Sequence, residues 1–373
     1  MKKIKRLSIV FFLVGIVFLN IPQGVCLDEE TKKEDCENLM DRALGGQKLI
    51  FNRNYAEALA VFKNMQDSCN HSPLGFFGEM AIYEVQMLEN EDFHLEKKFL
   101  DAAKRGDAAV NHVMQLYHPT EDELFYSAAV IGLDGFFQAR KSNWWSAYTK
   151  GTRSRQIFNR ILKSDPKFID AKLGTGMYIY WRSVFTKEIS FLPFFADKRA
   201  EGIAIVKDVS EKAKFAAEIA KINLGLIYFE EKRYKDAQKV FAEFVKNYPN
   251  TIIFRALLGK AYLADKQYKN SLAIFEESLK IDPSINKTRY FVGMAIALDD
   301  DKTKFDYGKK QLNLFLEKEN QRLWRSYGFY WLGFISEKQG LKEDAKKYYE
   351  EAINLNKGLK QAQVRVRGLG GGI

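Results

Sequence analysis

The residues that could do chemistry are few and poorly spaced for it. His112 and His118 stand six apart, roughly 240° around a helix, so they cannot give one metal two ligands from one face. No His-Glu-x-x-His occurs, and no glycine-rich loop ends in Gly-Lys-Ser or Gly-Lys-Thr to cradle a phosphate. Ser164 and Lys167 spell Ser-x-x-Lys, but the motif straddles an Asp165-Pro166 turn. The pairs Glu276-Glu277 and Glu350-Glu351 each follow an aromatic residue, Phe275 and Tyr349, and repeat like a solvated helix face, not like paired catalytic carboxylates. Asp299 to Asp301 lacks the glycine an EF-hand loop needs at its sixth position. The glycine-rich run from Gly368 to Gly372 is a chain-end feature, not a nucleotide loop. The expectation is a protein with no catalytic residues, no metal and no cofactor; an enzyme would have to use scattered residues.

Binding chemistry is better represented. From Gly135 to Ser164 there is no acidic residue, while Arg140, Lys141, Lys150, Arg153, Arg155, Arg160 and Lys163 supply seven positive charges. Phe136, Phe137, Trp144, Trp145 and Tyr148 fall in the same stretch. Guanidinium forks beside aromatic rings suit a carboxylate, a phosphate or an acidic peptide. The competing reading is a solvated basic face over an aromatic core, and Ile157, Phe158, Ile161 and Leu162 do form an apolar stripe there. A second feature is an insertion over residues 182–199, which carries Phe185, Phe191, Leu192, Pro193, Phe194 and Phe195. It either fills a gap in the fold or touches a partner or membrane surface.

The elements that must position these groups are helical. Of 373 residues 46% are hydrophobic, enough for a large core, and only 7 are proline, well under the roughly 5% usual in globular chains. No strand-like alternation persists. With 3 cysteines and 4 histidines, neither a multi-zinc nor a disulfide-dense scaffold is available. Lys2, Lys3, Lys5 and Arg6 precede an apolar run from Leu7 to Ile21, then Pro22, Gly24 and Cys26, which has the layout of a secretory signal peptide over residues 1–26. Its loss would take four positive charges and no negative ones, turning the formal +10 into +6. A retained anchor, or lipidation of Cys26, are the alternatives. An exported, mildly basic chain is not expected to bind nucleic acid.

A period of 34 organises the C-terminal half. Leu224, Gly225, Tyr228, Tyr234, Phe241 and Pro249 are followed 34 positions later by Leu258, Gly259, Tyr262, Tyr268, Phe275 and Pro283, with Ala237 matched by Ser271. Gly293 opens a further unit whose turn is lengthened by Asp299 to Asp301. Leu332, Gly333, Ala345, Tyr349 and Ala352 form a last unit. Near the other end, Gly46, Tyr55, Ala58 and Phe62 keep the same offsets over about 39–72; Phe158 and Pro166 close another unit, and Gly174 and Gly176 open the next. Thr120 with Glu123 is laid out as a helix-capping box.

These spacings resemble the tetratricopeptide repeat, in which small residues sit where two antiparallel helices approach closely, aromatic residues fill the space between pairs, and proline ends the second helix. The resemblance implies an all-α solenoid, a right-handed superhelix of helix pairs whose first helices line a concave face that binds protein. On that face Tyr180 and Trp181 are candidate contacts. So are Asn223, Arg255 and Lys260, although the full set for clamping a peptide C-terminus is missing. Cys36 would lie just before the first pair and Cys69 just after it; such hairpin ends are neighbours, which permits a disulfide. The segment from Asp165 through Trp181, and on to Ile203, also resembles exported bacterial repeat proteins without assigned activity.

The expected organisation is a signal peptide over 1–26, a first unit over 27–72 and irregular helices over 73–135. Degenerate units over 136–215 contain the insertion; an array over 216–357 and a tail over 358–373 follow. The expected function is a non-catalytic scaffold in the periplasm or cell envelope that holds a protein or peptide partner, acidic if the Arg/Lys set makes the contact. The alternative is an envelope assembly factor attached peripherally to the outer membrane.

Overall fold

The computed structural model describes residues 36, 38–185, 196–299 and 301–369. The expected signal peptide, the aromatic core of the insertion, Asp300 and the last four residues lie outside them. Among the described residues the chain forms α-helices and short 3-10 turns and no strand. It divides into two compact units, residues up to Met87 with Phe93–Glu230, and Leu88–Asp92 with Glu231–Ile373.

The first unit contains α1 (Leu39–Phe51), α2 (Tyr55–Ser68), most of α3 (Pro73–Asn90), α4 (Glu96–Gln115) and α5 (Glu121–Arg140), then α6 (Trp144–Ser164), α7 (Lys172–Phe185), α8 (Arg199–Lys212) and α9 (Ala217–Glu230). From α4 to α9 each helix packs on the next, as α1 does on α2. The second unit contains α10 (Tyr234–Asn247), α11 (Ile253–Ala264), α12 (Tyr268–Ile281) and α13 (Asn286–Leu298), then α14 (Phe305–Lys318), α15 (Arg322–Lys338), α16 (Lys342–Leu355) and α17 (Lys360–Leu369). Again successive helices pack in chain order. Two expected boundaries move. The break placed at residue 135 falls inside α5, which pairs with α6, and residues 73–135 are long regular helices. The two units divide between α9 and α10, inside the array expected over 216–357.

One local device recurs. A glycine in the first helix of a pair faces a side chain sixteen residues on. A Cβ added to Gly46 would lie 2.5 Å from the Phe62 ring, one on Gly259 2.6 Å from Phe275, and one on Gly333 2.8 Å from Tyr349. Any side chain there would drive the pair apart, at a cost of about 1–3 kcal/mol. Gly293 meets Leu312 in the same way across the longer acidic turn. Seven residues after the glycine, the chain reverses through a left-handed residue: Arg53, Ser142, Lys266 and Gly340, with φ of 64°, 61°, 60° and 81°. In each of these turns the next N–H donates to a carbonyl five residues back. Asn54 bonds Leu49, Asn143 bonds Gln138, Gln267 bonds Tyr262 and Leu341 bonds Ser336, each at 2.9 Å. That bond closes the end of the first helix. The α5–α6 hairpin shares this turn, with Gly135 seven residues before Ser142.

Two further local features match their sequence signals. Thr120 caps α5, its hydroxyl accepting from the Glu123 N–H while the Glu123 side chain bonds back to the Thr120 N–H. Cys36 and Cys69 are joined by a disulfide with Cα atoms 5.3 Å apart, bracketing the α1–α2 hairpin.

Candidate functional site

In the first unit, the basic stretch on α5 and α6 is largely answered by the chain's own acids. Arg140 Nη1 lies 2.7 Å from the buried Glu84 carboxylate on α3, and Lys141 Nζ lies 2.9 Å from Glu96. Lys150 pairs with Asp134 at 2.7 Å, and Arg153 pairs with Asp107 at 3.1 Å while also donating to Asn111. Arg155 lies over the Tyr178 ring, 3.9 Å from its centroid. Burial pushes the Glu84 carboxyl above its ordinary range, and Arg140 only partly opposes this. These side chains tie α5 and α6 to α3, α4 and α7, in line with a basic face over an aromatic core, the alternative to an open cationic receptor. Arg160 and Lys163 stay exposed.

The aromatic candidates separate into two groups. Tyr180 is fully buried and Trp181 nearly so, their rings edge to face at 4.9 Å. They are packing residues, which corrects their place on a binding face. Trp144 and Trp145 are exposed. Tyr148 lies beside Trp145, the rings tilted with centroids 5.9 Å apart, its hydroxyl buried and without a hydrogen-bond partner. Asn223, on α9, spends its amide on the Ile219 carbonyl of its own helix at 2.8 Å, so it is not held ready for a peptide end.

Two buried acids that sequence reasoning passed over hold the first unit together. Glu79 accepts from Lys63 at 2.8 Å, Gln66 at 2.7 Å, Tyr83 at 3.2 Å and Arg105 at 3.0 Å. Burial raises its pKa, but hydrogen bonds from Lys63, Gln66 and Arg105 together outweigh that and hold it below the ordinary value. Asp170 accepts the backbone N–H groups of Phe215 at 2.8 Å and Ala216 at 2.6 Å, satisfying donors at the start of α9 that have no partner within the helix.

In the second unit the first helices of successive pairs are α11, α13 and α15. Arg255 on α11 is buried, its guanidinium donating to the Thr251 carbonyl at 2.8 Å and lying 3.6 Å from Glu277. Lys260 pairs with Glu91 of the short 88–92 segment at 2.5 Å and lies 4.7 Å over the Phe291 ring. Lys287 on α13 is buried against Glu319 and lies 4.4 Å over Trp324. Burial drives its pKa down, with Glu319 acting the other way. Around these cations lies an aromatic face the candidate residues did not include. Trp324, Tyr327, Trp331 and Phe334 follow one another along α15 at helical spacing, all half-buried. Trp331 Nε1 donates to the Tyr290 hydroxyl at 3.0 Å, and Trp324 meets Tyr290 edge to face at 5.1 Å. Half-exposed rings held by neighbouring rings and a hydrogen bond are preorganised anchors. The signal was present as six aromatic residues between Trp324 and Phe334.

Two tetratricopeptide repeat models match this chain, one over residues 220–251 and the other over 254–285 and 327–358. The chain carries tetratricopeptide repeats over these residues. The matched residues take in most of α9, the following α10, the pair α11 with α12, and the pair α15 with α16. Among solved structures, the APC/C hetero-tetramer Cut9–Hcn1 is similar in fold, with a TM-score of 0.58 and 12% identity over 91% of this chain and 57% of that one. Pseudomonas aeruginosa pilF gives 0.46 and 16% over 66% and 99%. YrrB, described as a TPR protein with an unusual peptide-binding site, gives 0.40 and 16% over 56% and 97%. At these identities the likeness is one of fold. No curated protein matches the chain in sequence. Among the described residues of this repeat protein, no three histidine, cysteine or acidic side chains are placed to hold a metal. None of its helices there is long and apolar enough to cross a membrane.

Proposed function

We propose that this protein is a non-catalytic scaffold that holds a protein or peptide partner on the first-helix face of its second unit. The observation that carries this reading is the row of half-buried rings on α15, braced by Tyr290 and flanked by Lys260. Such rings bring large apolar area with little entropy left to lose, which is what binding hot spots use. Partner selection by charge has less support than the basic composition suggested, because most cations that could confer it already have intramolecular partners. We also propose that the chain is exported to the cell envelope; the basic and apolar start of the sequence and the Cys36–Cys69 disulfide support that reading.

The direct test replaces Tyr327 with the photocrosslinker benzoylphenylalanine in the producing cell, with Lys347 on α16 as control. A discrete adduct at Tyr327 and none at Lys347 is the expected result. Equal adducts, or none at Tyr327, would refute the assignment. Fractionation of the same cells, with the mass of the processed N-terminus, checks export independently.

A further inference from the structure

The turn between α5 and α6 carries the most exposed indole of the described residues. Trp145 is 76% exposed and its neighbour Trp144 46%, at the tip of a helical hairpin and not in a groove. Lys141 fixes what lies beside them. Its Nζ is 2.9 Å from Glu96 and 4.6 Å from the centre of the Phe93 ring, while the Arg140 guanidinium is 4.8 Å from that same ring. These contacts set the hairpin tip against the first turn of α4. There Lys97 and Leu100, three apart and so on one helical face, are both exposed, with Lys98 next to them. On this turn of α4 Glu96 is engaged by Lys141 and Asp101 by Arg105 at 3.2 Å, while Glu91 and Asp92 precede Phe93 in the chain. The edge therefore presents indoles and an aliphatic side chain beside two exposed lysines, Lys97 and Lys98.

We propose that this edge of the first unit rests on an anionic lipid surface. Indoles favour the boundary between headgroups and acyl chains, where the ring is half apolar and the N–H stays hydrated. Lysines at the same level gain about 1 kcal/mol each from an anionic leaflet, an attraction that salt screens. Exposed indoles at a hairpin tip, outside any groove, suit a flat headgroup boundary, and the lysines beside them favour an anionic one over a neutral one. The contact lies on different helices from the partner face on α15 and does not depend on that assignment.

The test uses the full chain and vesicles of brominated phosphatidylcholine mixed with phosphatidylglycerol. Bromine quenches only those indoles that enter the bilayer, so attachment by the apolar N-terminal run alone leaves emission unchanged. Of five tryptophans, Trp144 and Trp145 should account for the quenching. The W144F/W145F variant should show none. Lys97→Glu with Lys98→Glu, which keeps both indoles, should lose most of the quenching, as should added salt or vesicles without phosphatidylglycerol. Circular dichroism confirms that each variant is folded. Quenching that survives in W144F/W145F, or is absent from the wild type, overturns the proposal and would leave this edge to a protein partner.

Discussion

At the scale of single residues, the buried charges do structural work that their types alone do not announce. Glu79 is the clearest case. Its carboxylate is buried, and four side chains from three helices converge on it. Its folded-state pKa lies below the ordinary 4.5, so the stabilisation it supplies is fully present above that value. It is lost as pH falls through the folded-state pKa. Glu79→Gln should therefore lower stability at neutral pH by about 1–2 kcal/mol, because Arg105 and Lys63, both partly exposed, lose their charged acceptor. It should also remove part of the acid sensitivity. Urea denaturation midpoints at neutral pH and at a pH below 4 check both: wild type and variant should converge on acidification. Sequence inspection did not single out Glu79, because Lys63 and Arg105 lie 16 and 26 residues away on other helices. The same reason hid the pairing of Arg140, Lys150 and Arg153. A charge run shows how many cations there are and not which acids the fold brings to them.

At the scale of elements, the repeat was legible wherever its large residues were kept. Gly259 with Phe275 and Gly46 with Phe62 announce their helix pairs, because a glycine facing a ring is both a packing solution and a visible spacing. The pair of α5 and α6 was hidden since Gly151, not an aromatic residue, stands sixteen after Gly135. Two backbones meet there, the added Cβ of Gly135 lying 3.4 Å from the Gly151 nitrogen. Only Ala147, twelve after Gly135, kept the small-residue signal. The turns explain a further cost. Lys266 holds a left-handed conformation with φ 60°, which an L side chain adopts at roughly 1–2 kcal/mol. The last repeat has Gly340 at the equivalent place. Lys266→Gly should raise the urea midpoint by the equivalent of about 0.5–1 kcal/mol, after allowing for the greater freedom of glycine in the unfolded chain. A destabilised variant would mean that the lysine side chain makes a contact outweighing the strain.

At the scale of the whole molecule, the fold class followed from the period, while the binding face did not. Periodicity shows which helix is first and which is second, and so which side chains belong to each pair's core. It does not separate Tyr180 and Trp181, sealed inside α7 and α8, from Trp324 and Trp331, which stand half-open on α15. That difference arises from what the neighbouring helices cover. The central claim is that first helices of the second unit present the partner surface while second helices provide support. Hydrogen–deuterium exchange on the full chain, with and without the protein captured by crosslinking at Tyr327, tests it most directly. Added protection should be concentrated on peptides from α13 and α15 and be small on α14 and α16. Protection falling mainly on α14 and α16, with α15 unchanged, would contradict it.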